Sequence, residues 1–466
     1  IPAGHVKAIY SDGAGSGAAM VDAFTDLNLA GTTTTSSLNV SSDLDVDGTA
    51  NLDVVDIDGA VDMASTLQVD GAITFSSTLN GIDILADTTN FTDSILISQN
   101  ASTGTLSSAI GNTGLGDSVF AALTSGDYNV GIGKNALTAN TTAINNTSIG
   151  SFSLATNSTG QFNTAIGYAA LNQNTTASEN VAIGGGDGSS YSGALGSNTT
   201  GAKNVAVGNG SLVANTTASN NVAVGYNSLL VNTTGTRNNA FGSASLDANT
   251  TASFNNAFGY NSLGANTTGE ENVAMGDNAA AANTTGDKNT AIGTSSLASN
   301  TTADNNTALG YAALNANTTG SFNVGIGKDA LLANTTAAQN TAVGGVALAA
   351  NTTGANNTGL GTSALNANTT GSSNVAVGTN ALVVNTTADF NTAVGRDALT
   401  ANTTGAENVA IGGNALDANT TASFNVAIGT SALGANTTGT NNVMVGTNAG
   451  DAITTSNNNT GVGHDV

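Results

Sequence analysis

The chain has 466 residues, of which only 8% are charged and 4% are aromatic, and it contains no Cys and no Trp. Ordinary globular domains carry about 25% charged residues, so a conventional globular enzyme is not expected. The 31 acidic and 7 basic residues give a formal net charge of -24, which argues against nucleic-acid binding because that depends on clustered Lys and Arg. No apolar run is long enough to predict direct membrane insertion.

Two segments precede the regular part of the sequence. Residues 1–35 are rich in Gly and Ala and contain the only Pro, and we interpret them as an attachment or connector segment. Residues 36–110 are acidic and carry short apolar pairs, such as Leu44 with Val46, that are often followed by Asp-Gly. This pattern predicts short strands and tight turns. It resembles the intertwined triple β-helical stalks of phage fibres, so we predict a β-rich stalk here.

Residues 111–466 repeat with a period of 17. The consensus is N-(V/T)-A-(I/V)-G-x-x-A-L-x-A-N-T-T-(G/A)-x-x, and the Asn of position one recurs 21 times, from Asn112 to Asn459. The single break is a seven-residue insertion at 185–191, after which the register resumes. An insertion of this kind predicts a surface loop on a solenoid.

The first five residues of each unit alternate in the manner of a β-strand. Position four is a large apolar residue in all 21 units, and position nine is Leu in 17 of 20, so we predict that these two positions form the core. The Ala-Leu stretch is too short for a helix, and we predict two short strands and two turns per unit. At about 4.8 Å between strands, 21 coils would make a rod about 100 Å long. Representative predicted core residues are Ile132, Leu137, Ile166, Leu171, Ile292, Leu297, Ile428 and Leu433.

In each unit, the free energy gained by burying apolar surface is smaller than the cost of the conformational entropy lost on folding. A further buried surface is therefore expected. Position three is Ala, Gly or Ser in every unit except at Met444, and we interpret this row as a flat stripe along which identical chains pack around a symmetry axis.

The motifs at Asn163–Gly167 and Asn425–Gly429, each followed by Ala-Leu, resemble the head repeat of YadA-type trimeric autotransporter adhesins, which is also found in phage tail fibres. The resemblance covers residues 112–463. It implies an all-β, left-handed parallel β-roll that assembles as a homotrimer and serves as a surface fibre in adhesion. It implies no catalytic residue.

Candidate chemistry is sparse, and we predict no catalytic, cofactor-binding or metal-binding residue. Asp43, Asp45 and Asp47 could contribute oxygen ligands to Ca²⁺, but no calcium-loop motif is present, so a solvated acidic surface is favoured. The Asn-Thr-Thr motif matches a glycosylation sequon, although Asn also suits a left-handed turn. The Asn of position one could form a ligand-binding row, but a hydrogen-bonded Asn ladder is favoured.

Several exposed rings could contact glycans. Four Tyr residues follow the Gly of position five: Tyr168, Tyr226, Tyr260 and Tyr311. Simple packing over the turns is the favoured alternative for them.

These features together predict a structural fibre rather than an enzyme. We expect a homotrimeric phage tail fibre, part of the virion, which joins the phage tail to a glycan or protein receptor on the host surface. The alternative is a cell-surface trimeric adhesin or extracellular filament held by a cell-envelope anchor. A polysaccharide-degrading tailspike is the least favoured, because such enzymes use paired carboxylates in a substrate groove and this chain has few acids per unit.

Overall fold

The computed structural model describes an all-β chain whose main body is a parallel β-solenoid. The described residues contain no helix. Most of the predicted connector and stalk, the acidic residues Asp43, Asp45 and Asp47, and residues 187–191 of the insertion lie outside the described residues. The described ranges are 9–11, 20–22, 82–99, 103–186 and 193–466.

The strands form two separate sheets. A small antiparallel pair, β1 (Ile9–Ser11) and β2 (Met20–Asp22), stands by itself. All the other strands of the described chain belong to one ladder, which begins with β3 (Asp83–Thr88), β4 (Phe91–Ser98), β5 (Ala109–Ile110) and β6 (Thr113–Leu115). It continues with β7 (Val130–Ile132), β8 (Thr147–Ile149), β9 (Thr164–Ile166), β10 (Val181–Ile183), β11 (Val205–Val207), β12 (Val222–Val224), β13 (Asn239–Phe241), β14 (Asn256–Phe258), β15 (Val273–Met275), β16 (Thr290–Ile292), β17 (Thr307–Leu309), β18 (Val324–Ile326), β19 (Thr341–Val343), β20 (Thr358–Leu360), β21 (Val375–Val377), β22 (Thr392–Val394), β23 (Val409–Ile411), β24 (Val426–Ile428), β25 (Val443–Val445) and β26 (Thr460–Val462).

An antiparallel hairpin begins the ladder. Strand β3 pairs with β4 through Ile84 and Ile97, and β4 then pairs in parallel with β6 through Ile95 and Thr113. The short strand β5 pairs with the first residues of β4. The solenoid sheet therefore starts at residue 83, inside the range that the sequence assigned to the stalk.

Each 17-residue unit contributes one strand, at positions two to four, that pairs in parallel with the same positions of the next unit. The predicted parallel β-solenoid of 17-residue coils is therefore confirmed. The prediction of two strands per coil is wrong, because positions seven and nine have positive φ and cannot continue an extended strand. In one coil these residues are Ser295 (φ 55°) and Leu297 (φ 52°). The turn still bonds to the neighbouring coil, since the N–H of Leu297 donates to the carbonyl of Ala313 at 2.9 Å.

The core lies between position three of the strand and the Leu of position nine. Leu137, Leu171, Leu297 and Leu433 are fully buried, as is the Ala of position three in every coil that has one. The prediction that position four faces the core is wrong: Ile132, Ile166, Ile292 and Ile428 lie on the outer face of the sheet and are partly or substantially exposed. Strand alternation shows that positions two and four share a face but not which face is inside. The narrow interior decides, because beside the Leu there is room for only a small side chain.

The row of small residues is consequently an internal feature of each coil. Ala165, Ala291 and Ala427 are completely buried, so this row is not available for contact between chains. The interpretation of position three as a seam between copies is wrong.

One coil shows that positions three and nine share the same space. Met444 replaces the small residue of position three, and Gly450 replaces the Leu of position nine. A Cβ atom on Gly450 would lie 2.8 Å from the Cγ of Met444. The large and small residues have exchanged places, which conserves the core volume.

Candidate functional site: the outer faces of the coils

The outer face of the sheet is the most extensive candidate surface. We call the side chains of positions two and four, from Thr113 and Leu115 to Thr460 and Val462, the outer stripe. Position two is Val, Thr or Asn and position four is Ile, Val, Leu, Phe or Met, so the outer stripe carries no charged residue in any of the 21 units. On a chain with a net charge of -24, such a continuous uncharged face is typical of an interaction surface.

The outer stripe is accessible along its whole length in the single chain. The exposed fraction is 49% at Leu115, 42% at Met275 and 37% at Ile428. At its N-terminal end the stripe continues onto Ile95 and Ile97 of β4, where a hollow of ≈ 310 Å³ opens between Ile97 and Leu115. A flat array of large apolar side chains at the strand spacing is suited to contact with another extended surface.

The two Asn rows are structural ladders inside the coils. In the position-one row, the main-chain N–H of Asn129 donates to the Oδ1 of Asn112 at 2.9 Å, and its Nδ2 donates to the carbonyl of Ala143 at 2.9 Å. In the Asn-Thr-Thr row, the Nδ2 of Asn174 donates to the carbonyl of Ala177 at 3.0 Å. Both rows are buried. The favoured Asn ladder is thus present, and the side-chain amides of the sequons are not accessible for glycosylation in the folded coil.

The four candidate glycan-contact residues lie in one row beside the sheet. Tyr226, Tyr260 and Tyr311 are each more than half exposed, and Tyr168 packs edge-on against Phe152 with ring centroids 6.0 Å apart. Tyr226 and Tyr260 are two coils apart, and three coils separate each of the other neighbouring pairs. The structure aligns these rings along the rod without gathering them into one pocket.

Charged residues occupy the turns. In each ion pair among the described residues the Lys, Arg or His side chain is exposed, for example Lys203 with Glu179 at 4.0 Å. Arg237 lies 5.2 Å from the ring centroid of Phe254. Burial raises the pKa of Asp247 and of Asp417, which occupy position ten of their units. No group of three or more His, Cys, Asp or Glu residues in the described part of the chain is placed to hold a metal ion.

No helix among the described residues is long and apolar enough to cross a bilayer. No protein-family model, curated protein or solved structure matches the chain. The class of protein is therefore defined by the fold alone, as a parallel β-solenoid of 21 coils with buried Asn ladders and an uncharged outer stripe.

Proposed function

We propose that the chain is the rod of a homotrimeric structural fibre that mediates surface attachment, in the form of a phage tail fibre. The observation that carries the proposal is the outer stripe, which runs uninterrupted along all 21 coils and exposes large apolar side chains. In this arrangement three copies bury their outer stripes against one another around a common axis, each coil being a left-handed turn of a β-roll.

The size of the outer stripe fits a stable contact between copies. With a rise of about 4.8 Å per coil and a strand of three residues about 10 Å wide, it covers about 1,000 Å². In a trimer this area is divided between two neighbouring copies, and the total on each copy is similar to the roughly 800 Å² that a standard interface buries on each partner. A second copy of the chain also matches the stripe in length and in the spacing of its side chains, which a globular partner would not.

The trimer is tested by native mass spectrometry of the purified chain. We expect a mass of three chains for the wild type and a shift to single chains when Ile292→Lys and Ile326→Lys place charges in the outer stripe. The matched control carries Thr302→Lys and Thr336→Lys, exposed residues of the same two units on another face. A monomeric wild type, or equal dissociation of the test and control variants, would overturn the proposal.

The attachment role is tested by binding of the purified rod to cells and to a glycan array. The Tyr row is proposed as the contact surface because its rings are exposed and occupy the same position of their units. We expect Tyr226→Ala with Tyr260→Ala to weaken binding to a recognised glycan, while Phe390→Ala, an exposed ring of another row, does not. Cleavage of a polysaccharide by the wild-type rod would favour the tailspike alternative.

A further inference from the structure

Identical coils create a problem for any assembly of this rod. If one copy slides by a single coil, most of its outer stripe meets the same types of residue as before. These are Val or Thr at position two and an aliphatic residue at position four. Contacts of this kind specify a register weakly, as uniform strands generally do. An in-register trimer therefore needs a local feature that differs from the repeat.

Two adjacent coils carry such a feature. Strands β13 and β14 have Asn239 and Asn256 at position two, and Phe241 and Phe258 at position four. These are the only units with Asn or Phe at those positions. We call the four side chains the register key.

The register key is ordered by contacts within the chain. The Nδ2 of Asn239 donates to the Oδ1 of Asn256 at 2.7 Å. The rings of Phe241 and Phe258 are stacked, with centroids 4.8 Å apart and an interplanar angle of 5°. Among the described residues nothing bonds to the Oδ1 of Asn239 or the Nδ2 of Asn256, and both residues are partly exposed on the outer stripe. A donor and an acceptor thus remain available on this face.

We propose that the register key fixes the axial register and the parallel orientation of the copies in the assembly. This inference rests on the homotrimer proposed above. When the keys of neighbouring copies lie at the same level, the free amide groups can bond to one another and the rings pack together. A slip of one coil keeps only one Asn–Asn level and places the other Asn of each copy against Val222 or Val273, which leaves its polar atoms without partners in a buried contact. A single buried Asn sets the register of coiled coils by the same physics.

The position of the key along the rod also selects orientation. The key occupies the eighth and ninth of 21 units. If two copies overlapped fully but ran antiparallel, Asn239 would face the unit that begins at Asn340, whose strand carries Thr341 and Val343. Only a parallel arrangement lets all 21 coils and all the keys coincide.

The test uses the absence of Cys in the natural chain. Val375→Cys and Val377→Cys are first made separately, to find which position forms a disulfide between copies. A second Cys is then added at the same position of the next coil, at Thr392 if Val375 was chosen or at Val394 if Val377 was chosen. A disulfide requires Cα atoms within about 7 Å, so same-coil and shifted cross-links report different registers. For the wild-type key we expect shifted cross-links at least about tenfold weaker than same-coil ones, the ratio that corresponds to 1.4 kcal/mol.

The variant without a key carries Asn239→Val, Phe241→Ile, Asn256→Val and Phe258→Ile. We expect it to keep its trimeric mass while same-coil and shifted cross-links become equally abundant. A matched variant adds to this keyless chain a key in another pair of coils, through Thr307→Asn, Leu309→Phe, Val324→Asn and Ile326→Phe. Its shifted cross-links should again be at least about tenfold weaker than the same-coil ones.

The two proposals fail in different ways. A trimer that retains only same-coil cross-links without its key would overturn the register key and leave the fibre intact. A wild-type chain with the mass of a monomer and no cross-links would overturn both.

Discussion

At the residue scale, Gly and Asn determine how one coil stacks on the next. The Gly of position five follows the strand with φ near +130°, a conformation that residues with a Cβ rarely adopt. A Cβ there would also collide with the neighbouring coil; on Gly310 it would lie 2.6 Å from the carbonyl oxygen of Gly327. The buried Asn rows then satisfy main-chain groups at the other end of the strand.

Gly344 and Gly345 provide a matched test of this requirement. Gly344 has φ +134°, and a Cβ on it would lie 2.6 Å from the backbone of Gly361, whereas a Cβ on Gly345 would meet nothing within 4 Å. We expect Gly344→Ala to destabilise the rod by about 1 to 3 kcal/mol. Gly345→Ala should change stability by about 0.5 kcal/mol or less. Urea denaturation followed by circular dichroism measures both, and equal effects would contradict the strain argument.

The Asn ladder predicts a comparable loss of folding stability when one of its side chains is removed. The Oδ1 of Asn289 accepts the main-chain N–H of Asn306 at 3.0 Å, and its Nδ2 donates to the carbonyl of Ala303 at 2.8 Å. Asn289→Ala leaves a buried N–H without its partner, which costs about 1 to 3 kcal/mol. Thr285→Ala, at an exposed position, is the control. Hydrogen exchange of the main-chain N–H of Asn306 should accelerate in Asn289→Ala and not in Thr285→Ala. Unchanged protection of this N–H in Asn289→Ala would refute this role of the ladder.

The raised pKa of Asp247 predicts a pH dependence of stability. Burial of this carboxyl raises its pKa above the usual 3.8. The charged form is therefore less favourable in the folded chain, and the penalty develops as the pH rises from 3.8 through the folded pKa. Asp247→Asn should stabilise the rod at neutral pH, by about 0.5 kcal/mol or less for such a partly exposed group. It should have no effect well below pH 3.8, so an equal gain in denaturation midpoint at both pH values would contradict the expectation.

At the element scale, the strand and its turn divide the apolar residues between two environments. Leu297 is buried in the core of its coil, whereas Ile292 of the same unit lies on the outer stripe. We expect Leu297→Ala to cost about 2 to 5 kcal/mol, because it opens a cavity in a closely packed core. Ile292→Ala should lower the stability of the single chain much less and, in the proposed trimer, should instead weaken association between copies. Thermal unfolding and native mass spectrometry separate the two effects, and a larger loss of stability at Ile292 than at Leu297 would reverse the assignment.

The strands themselves were predictable from the sequence, but their orientation was not. The recurring Asn, the alternating residues and the Gly of position five identify 21 equivalent strands. Alternation does not show which face of a strand is buried, and the large apolar residue at position four of every unit suggested that its face was the interior. The paired exceptions Met444 and Gly450 were the signal that position three packs against position nine. The second strand was predicted wrongly because αL conformations at Leu residues leave no trace in a pattern of hydrophobicity.

For the outer stripe, likewise, the sequence predicted that a contact surface exists but not where it lies. The sequence indicated that a single chain needs a further contact surface, yet it placed that surface on the small residues of position three. The exposure of Leu115, Met275 and Ile428 identifies the surface that is available instead. Choosing between the faces required knowing how wide the coil is, which depends on the turn conformation rather than on the strand.

At the scale of the whole molecule, the rod consists of equal steps, each bonded to its two neighbours. Strand pairing keeps the same register from β6 to β26, even across the insertion between β10 and β11. In such a chain stability is approximately the sum of terms for single units and for neighbouring pairs. The length of the rod is therefore adjustable in steps of one unit.

Deletion of residues 307–323 tests this additivity. The deletion joins Asn306 to Val324, so the Asn ladders, the Gly row and the core Leu row all continue in register. We expect the shortened chain to retain its circular dichroism spectrum and nearly all of its thermal stability, with a rod about 4.8 Å shorter by small-angle scattering. The control deletion, residues 307–314, removes about half a unit and brings Asn306 next to Asn315. This change removes the strand, the Gly and the core Leu of one coil while leaving its ladder residues Asn306 and Asn317. We expect it to lower the unfolding temperature and to expose the adjacent coils to proteolysis. If the two deletions destabilised the rod equally, coil-to-coil register could not be the source of its stability.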